Sequence, residues 1–389
     1  MALTLNSHVL NLGISGIRTF SNQLANFPDA INLTIGQPDF PTPQHIKEAA
    51  ISSILADYTG YSHNAGLLSL RQEVQSFFFD RYNLSYRAED EIYITVGASE
   101  ALDIAFRTIL EEGDEVILFA PVYPGYIPVI ELCGAVPILI DTSGTDFKPT
   151  LDQIKKAVTP KTKAILFNYP SNPTGVILTR DEIRTLTDWI RTQELFVVSD
   201  EIYSENTFGS KHVSFASMEG MRERTIIIHG LSKSHSMTGW RIGFTMAPAF
   251  LIEQMIKVHL YSVTCAPVTS QYAAIQALRY GRDDSDAMNK EYVKRLDFLY
   301  NRLREMGLET MKPSGAFYIF PKIPSIFPDS YTFATQLLTE GGVAVVPGSA
   351  FSSFGEGYFR ISYAYSMDIL KEGLDRLEKF LQNHCIKGV

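Results

Sequence analysis

The stretch that decides the fold is KAILFNYPSNPTGVILTRDEIRTLTDWIRTQELFVVS, residues 163–199. It begins with the short apolar run 163–168, continues through a proline-rich turn and a helical pattern, and ends with a second apolar run at 195–199. Short apolar runs that alternate with helical segments are typical of a parallel sheet with helices on its faces. The stretch therefore predicts a layered α/β domain.

The same alternation extends on both sides of this stretch, from about Gln44 onward. Near-continuous apolar character predicts strands that are buried on both faces under helices. We expect helices at 44–56 and 67–82, with Thr42 as the capping residue of the first one. The strand candidates are short, β-branched and bounded by turn residues: 91–96, 115–119, 136–140, 163–168, 195–199, 225–229 and 242–246. A mostly parallel, seven-stranded sheet is predicted.

The last third of the chain has a different pattern. A long helical stretch from about 268 to 306 precedes strand candidates at 315–320, 343–346 and 358–364, which predict a second, smaller α+β domain. The first 40 or so residues are too short and irregular to fold alone, so we expect them to pack on this second domain or on a partner subunit. The predicted division is a large domain at 44–285 and a small domain made of 1–43 and 286–389.

Composition limits the classes of partner. The chain has 389 residues, 45% hydrophobic and 20% charged, with a formal net charge of -9. An acidic balance argues against nucleic acid, whose phosphates need a concentrated basic face. The scattered Cys133, Cys265 and Cys385 suggest no disulfide framework and favour a reducing compartment. No basic and apolar leader or run of about 18 apolar residues is evident, so we expect a cytoplasmic protein that does not span a membrane.

The segment HGLSKSHSMTGWRIG, residues 229–243, contains the most informative lysine. Lys233 follows an apolar strand among small polar residues, with Arg241 eight positions later. A lysine amine can form a Schiff base with an aldehyde cofactor when burial or a nearby cation lowers its pKa. A single loop lysine is far more often a solvated charge, so its neighbours must decide.

Asp200 ends the apolar run at 195–199. The carboxyl ends of parallel strands face the ligand crevice, so an acid at this position can meet a cofactor. A carboxylate beside a pyridine nitrogen keeps that nitrogen protonated. Capping of the next helix is an equally good explanation of Asp200 taken alone.

Two turns offer further polar groups. Asn172, in NYPSNPTG at 168–175, is held between prolines and could donate a hydrogen bond to a ring oxygen, although turn chemistry alone also explains this segment. The segment TVGASEA at 95–101 runs from a strand into a helix, whose first amides make an anion site. Glycine and serine are also common in such turns for conformational reasons.

Taken in order, these motifs resemble the class I aminotransferases of fold type I, which use pyridoxal 5′-phosphate. The resemblance extends from IGQPDF at 35–40 to FRISYA at 359–364. The matching residues are Gly97-Ala98-Ser99, Asn172-Pro173-Thr174-Gly175, Asp200 with Tyr203, Ser232-Lys233 with Arg241, and Arg360.

The resemblance implies roles around the cofactor ring. Lys233 would hold the cofactor and, once the substrate displaces it, move a proton on the substrate. Asp200 would pair with the pyridine nitrogen, Asn172 and Tyr203 would bind the ring hydroxylate, and Tyr123 would stack on the ring face.

The resemblance also implies an anion site and a substrate site. Gly97, Ala98 and Ser99 with Ser232 and Arg241 would surround the cofactor phosphate. Tyr61 would reach that phosphate from the neighbouring subunit, which makes a homodimer the expectation. The substrate would be bound by Gly36, Asn172 and Arg360, with Arg360 clamping its α-carboxylate. No metal site is expected.

The implied reaction is amino transfer from an L-amino acid to a 2-oxo acid, with 2-oxoglutarate the expected acceptor, in two half-reactions through a pyridoxamine form. The segments ISGIR at 14–18 and GLSKSHSMTGW at 230–240 are similar to those of bacterial N-acetyl-diaminopimelate aminotransferases of lysine biosynthesis. Aromatic-amino-acid aminotransferases remain open as an alternative, because substrate choice depends on pocket shape. A pyridoxal-phosphate C–S lyase is a further alternative. A non-catalytic regulator is disfavoured, because the start of the chain lacks a basic DNA-binding extension.

Overall fold

A computed structural model of the chain describes residues 3–13 and 16–385. The helices of this part are α1 Ser7–Leu10, α2 Gly16–Leu24, α3 Gln44–Leu55, α4 Leu68–Tyr82, α5 Gly97–Ile109, α6 Tyr126–Glu131, α7 Leu151–Ala157, α8 Arg180–Ile190, α9 Ala249–Val263, α10 Val268–Tyr280, α11 Asp284–Glu305, α12 Ser330–Gly341 and α13 Met367–Cys385. Its strands are β1 Ile31–Asn32, β2 Ile92–Thr95, β3 Glu115–Ala120, β4 Val136–Asp141, β5 Thr162–Asn168, β6 Phe196–Asp200, β7 Thr225–Gly230, β8 Gly243–Met246, β9 Tyr318–Ile319, β10 Val343–Ala344, β11 Val346–Pro347 and β12 Phe359–Ser362. No helix among these residues is both long and apolar enough to cross a membrane.

Strands β2 to β8 form one sheet, in the spatial order β2-β8-β7-β6-β5-β3-β4. Strands β7, β6, β5, β3 and β4 pair in parallel, whereas β8 is antiparallel to both of its neighbours. Each of the seven candidate strands is present in this sheet, with ends within one residue of the predicted ones. The predicted fold, a mostly parallel seven-stranded sheet with helices, is confirmed.

Both faces of the large sheet are covered, because successive strand residues point to opposite sides. Val116 and Leu118 of β3 pack with Leu251 of α9 on one face. Ile117, between them in sequence, packs with Ile183 of α8 on the other face. The near-continuous apolar character of these strands follows from this double burial.

A second unit surrounds the smaller sheets. Strand β1 pairs in parallel with β10, and β11, β12 and β9 form an antiparallel sheet. Its core joins Phe333, Ile361 and Leu370 with Phe20 and Leu33 from the N-terminal part of the chain. Phe20 and Leu33 of the N-terminal part therefore pack on this unit. Ile14 and Ser15, from the segment at 14–18, lie outside the described residues.

The helical stretch expected at 268–306 is present as two helices, α10 and α11, because the chain turns at Gly281, a poor helix former. Two other local predictions were wrong. Thr42 does not cap α3. Pro43 occupies the cap position, while the Thr42 hydroxyl donates to the Ser236 carbonyl at 2.7 Å. The strand predicted at 343–346 is divided, because the chain exchanges β1 for β12 as its pairing partner at Val345.

Candidate functional site

A cavity of about 720 Å³ lies at the carboxyl ends of β3, β5, β6 and β7. This is the edge at which open α/β sheets bind their ligands, and the volume is typical of a small-molecule site. The segment 34–36, which follows β1, and strands β9 and β12 form its other walls. The cavity is lined by Asn22, Thr34, Ile35, Gly36, Ala98, Ser99, Leu102, Tyr123, Tyr126, Asn168, Asn172, Asp200, Ile202, Tyr203, Ser232, Lys233, Thr238, Arg241, Tyr318 and Arg360.

Lys233 projects into this cavity from the loop after β7. Its Nζ donates a hydrogen bond to the Gly36 carbonyl oxygen at 2.8 Å. Burial and the nearby Arg360 cation lower the pKa of Lys233 to about 8, and Arg241 acts in the same direction, while the Asp200 carboxylate opposes the shift. A lowered pKa increases the share of neutral amine near pH 7, which is the form that attacks an aldehyde.

Asp200 occupies the carboxyl end of β6 and is 5% exposed. Burial raises its pKa from 3.8 to about 6, although hydrogen bonds from the Tyr126 hydroxyl and the Ile202 amide, at 2.6 and 3.2 Å, favour the carboxylate. One oxygen accepts from the Ile202 amide in the turn after β6, where the chain forms no helix, so helix capping does not explain Asp200. The other oxygen is held by Tyr126, which leaves the carboxylate fixed at the cavity wall.

The start of α5 forms an anion-binding corner. Ala98 and Ser99 are in its first turn, and no side chain caps this helix. Its first amides therefore remain available for an anion, with the helix dipole behind them. Gly97, at φ +76°, does not line the cavity, but a Cβ on it would overlap the Arg241 guanidinium. The glycine thus lets Arg241 approach the corner, where Ser232 adds a hydroxyl.

Arg360 extends from β12 and is 3% exposed. Its Nη1 donates to Asn172 Oδ1 at 2.8 Å and its Nη2 to the Thr34 carbonyl at 2.6 Å. Its Nε has no hydrogen-bond partner, and no carboxylate among the described residues forms an ion pair with it. A buried guanidinium with unused donors is suited to binding a carboxylate from a ligand.

The turn after β5 is tied to the neighbouring strand. Asn168 Nδ2 donates to the Asp200 carbonyl at 3.2 Å, and Asn168 Oδ1 accepts from the Asn172 amide at 3.2 Å. Asn172 is therefore anchored by its backbone, and its side chain holds Arg360 in place. The sequence motif pointed to Asn172 but not to this anchoring role of Asn168.

The cavity brings together the site residues expected from the sequence, except for two. Gly97 lies just behind the wall, as described above. Tyr61 is 88% exposed on the surface of this chain and does not line the cavity. Its assignment to a neighbouring subunit stays a prediction.

Two tyrosines that sequence reasoning missed also line the cavity. Tyr126 begins α6 and binds Asp200, while Tyr318 on β9 shares a hydrogen bond of 2.8 Å with Tyr203. The segment PVYPGY at 121–126 could have indicated Tyr126, because it places a second tyrosine three positions after Tyr123, at the start of α6. No local signal marked Tyr318, because its partner is 115 residues away.

The grouped residues define a chemical capability. A lysine with a lowered pKa, a fixed carboxylate, an anion corner and a buried arginine occupy one cavity. Such a set can hold a phosphorylated aldehyde and a substrate carboxylate at the same time. No group of three or more potential metal-ligating side chains occurs in the described part of the chain.

Comparison with known proteins gives consistent matches. The family model for aminotransferases of class I and II matches residues 28–377. The chain is 53% identical over 377 residues to the "Probable N-acetyl-LL-diaminopimelate aminotransferase" of Bacillus subtilis, covering 97% of this chain and 95% of that protein. It is 40% identical to "Aromatic-amino-acid aminotransferase 2" of Thermococcus litoralis, covering 95% and 96%. The solved aspartate aminotransferase from Thermus thermophilus with maleate superposes with a TM-score of 0.92 at 33% identity, covering 97% of this chain and all (100%) of that one.

Proposed function

We propose, from the premise that this chain belongs to the aminotransferases of class I and II, that it carries pyridoxal 5′-phosphate on Lys233. The observation that carries this proposal is the convergence of Lys233, Asp200, Arg241 and Arg360 on one cavity. These four charges come from separate elements of the chain. Each of them matches a different part of the cofactor and substrate.

The residues present fit this cofactor. The anion corner at Ala98 and Ser99, with Arg241 beside it, matches a phosphate, and the absence of a side chain at Gly97 keeps room for that contact. Asp200 offers an acceptor for a pyridinium, while Tyr203 and Tyr123 offer a phenol and an aromatic face. When bound, the cofactor supplies the aldehyde carbon and an electron-withdrawing ring.

We assign the substrate-binding roles to Gly36, Asn172 and Arg360. Arg360, oriented by Asn172 and Thr34, would bind the α-carboxylate of the amino acid through its unused donors. Gly36 lies opposite, where a side chain would overlap Tyr318 and narrow the cavity. Lys233, held near Gly36, would be in position to move the proton at the substrate Cα.

The proposed amino donor is N-acetyl-LL-diaminopimelate, with 2-oxoglutarate as the acceptor. The support for this donor is the 53% identity to the B. subtilis relative, whose name gives that substrate. Aromatic amino acids are the second candidate, supported by the T. litoralis relative and by a cavity lined by Tyr123, Tyr126, Tyr203 and Tyr318. A C–S lyase would differ from both, because it would release ammonia and pyruvate without an oxo-acid acceptor.

We further propose a cytoplasmic homodimer in which Tyr61 reaches the phosphate corner of the neighbouring subunit. The support is the exposure of Tyr61, which leaves its side chain free for such a contact. We also propose that residues 44–285 form the large domain and that residues 1–43 and 286–389 form the small one. The core around the smaller sheets comes mostly from residues 1–43 and 286–389, with Ile202 and Tyr203 of the large domain joining it, and this supports the division.

Lys233→Ala tests the cofactor assignment. The variant should lose the yellow absorbance of the cofactor-bound protein and nearly all amino transfer, because no amine remains to bind the aldehyde. Lys257→Ala, which removes an exposed lysine on α9, is the matched control and should retain both. A yellow, active Lys233→Ala protein would overturn the assignment.

A panel of amino donors with 2-oxoglutarate tests the substrate proposal. N-acetyl-LL-diaminopimelate, tyrosine, phenylalanine and aspartate should be compared by kcat/KM on one enzyme preparation. The proposed donor should give the highest value. A higher value for tyrosine or phenylalanine would transfer the assignment to the aromatic class.

A further inference from the structure

Tyr318 lies where three of the proposed active-site groups meet. It is 1% exposed within the wall formed by β9, and its hydroxyl is 2.8 Å from the Tyr203 hydroxyl. Its ring lies under the Arg360 guanidinium, at 4.3 Å from centroid to carbon. Gly36 packs directly on the hydroxyl, where any Cβ would overlap it. We propose that Tyr318 is a positioning residue that sets Tyr203 through its hydroxyl and Arg360 through its ring, an inference that rests on the proposed function.

The Tyr318 and Tyr203 hydroxyls carry one proton each. Among the described residues, each of these two hydroxyls has only the other as a hydrogen-bond partner. The pair carries two hydrogens and forms one mutual bond, so one O–H must find its acceptor in the cavity. An O–H buried without an acceptor is unfavourable, which makes an anionic ring oxygen the natural acceptor. If Tyr203 donates to that oxygen, Tyr318 must donate to Tyr203, and a phenol that accepts a hydrogen bond becomes a stronger donor.

The ring of Tyr318 acts on Arg360. Its two terminal nitrogens are held in the guanidinium plane by Asn172 and the Thr34 carbonyl. Hydrogen bonds within the guanidinium plane do not fix the tilt of that plane. The tilt is set by the groups above and below it. Tyr318 covers one such position at 4.3 Å and Phe351 lies at 5.0 Å. Cation–π contact with a buried ring therefore fixes how the unused donors face the substrate.

Two substitutions separate the hydroxyl from the ring. Tyr318→Phe keeps the ring, so the KM of the amino donor should stay within about twofold. The pH at which half of the yellow absorbance is lost, the pH midpoint, should rise by about half a unit or more. Without the Tyr318 hydroxyl, Tyr203 is a weaker hydrogen-bond donor to the ring oxygen, so it stabilises the deprotonated form of the Lys233-bound cofactor less. Tyr318→Leu should add a rise in KM of about fivefold or more. Tyr363→Phe, which removes a buried hydroxyl bonded to the Ala316 carbonyl at 3.2 Å, is the control and should change neither.

A double-mutant cycle tests whether Tyr318 acts through its partner. In a Tyr203→Phe background, Tyr318→Phe should leave the pH midpoint unchanged, because the group through which it acts is absent. The same pair should also show non-additive thermal midpoints in cofactor-free protein, a readout that does not depend on turnover. Gly36→Ala, which displaces the hydroxyl from the opposite side, should raise the midpoint in the same direction as Tyr318→Phe.

The outcomes are distinct. Unchanged midpoints in both Tyr318→Phe and Gly36→Ala, in proteins that remain yellow and active, would overturn the positioning role and leave the proposed function intact. Additive effects with Tyr203→Phe would overturn it as well. Failure of the proposed function would appear earlier, as a wild-type protein that never becomes yellow with the cofactor.

Discussion

Asp200→Asn should make the cofactor-free protein more stable at pH 8. The carboxylate is 5% exposed, and its burial raises its pKa from 3.8 to about 6. Asparagine has the same shape and can keep hydrogen bonds to Tyr126 and the Ile202 amide, since the tyrosine hydroxyl can accept as well as donate. The substitution therefore removes mainly the charge.

The magnitude follows from proton linkage. The pKa of Asp200 is higher in the folded protein than in the unfolded chain. The stability that this carboxyl group contributes is therefore fully present below pH 3.8 and is lost as the pH rises through about 6. Each pKa unit corresponds to about 1.4 kcal/mol, so the ionised carboxylate costs about 3 kcal/mol at pH 8. Under the same relation the cost falls to about 1.6 kcal/mol at pH 5. The free energy of unfolding of Asp200→Asn should exceed that of the wild type by these amounts.

Urea unfolding of both cofactor-free proteins between pH 5 and 8 measures this difference. Asp188→Asn, which changes a carboxylate that is 58% exposed, is the control and should differ from the wild type by less than about 0.5 kcal/mol at each pH. Pyridoxal 5′-phosphate should reverse the order, because only the carboxylate gains a pyridinium partner. A difference for Asp200→Asn that is absent at pH 8, or that grows towards pH 5, would refute the reasoning.

Three further outcomes are expected. Gly97→Ala should weaken cofactor retention by about tenfold or more, because the residue has φ +76° and its Cβ would displace Arg241; an unchanged cofactor dissociation rate would contradict this. Arg360→Lys should raise the KM of the amino donor by about tenfold or more, since lysine lacks the paired donors, and a KM within twofold of the wild type would count against the carboxylate role. The rate at which cofactor-free protein turns yellow with added cofactor should rise with pH, reach half its maximum near pH 8 and level off above about pH 9, because burial and Arg360 lower the pKa of Lys233 to about 8. A rate that climbs steadily to pH 10 would show an ordinary lysine.

Much of the fold could be predicted because it depends on local pattern. Strands such as 195–199 are short apolar runs, and both their existence and their burial follow from that character. Lys233 and Asp200 could be placed for a related reason. Residues at the carboxyl ends of parallel strands meet at one edge of the sheet, so strand positions alone bring them together.

What could not be predicted depends on contacts between distant parts of the chain. Tyr318 and Tyr203 are 115 positions apart, and Tyr126 and Asp200 are 74 apart, so no window of sequence contains either pair. Thr42 was assigned to α3 because its local context fits a cap, but its hydroxyl donates to Ser236 and accepts from the Trp240 indole instead. Tertiary hydrogen bonds took precedence over local preference at this position.

The reversed direction of β8 has a consequence for the phosphate corner. A strand that is parallel to its neighbours has its last residue at the ligand-binding edge of the sheet. Strand β8 is antiparallel, so its first residue, Gly243, lies at that edge, and Arg241 is two positions before it. The four residues of this strand are three steps of about 3.3 Å, so its two ends are roughly 10 Å apart. If β8 ran in the opposite direction, Arg241 would lie at least roughly 10 Å away, at the other edge of the sheet. Arg241 therefore lies at the phosphate corner because β8 runs antiparallel to its neighbours.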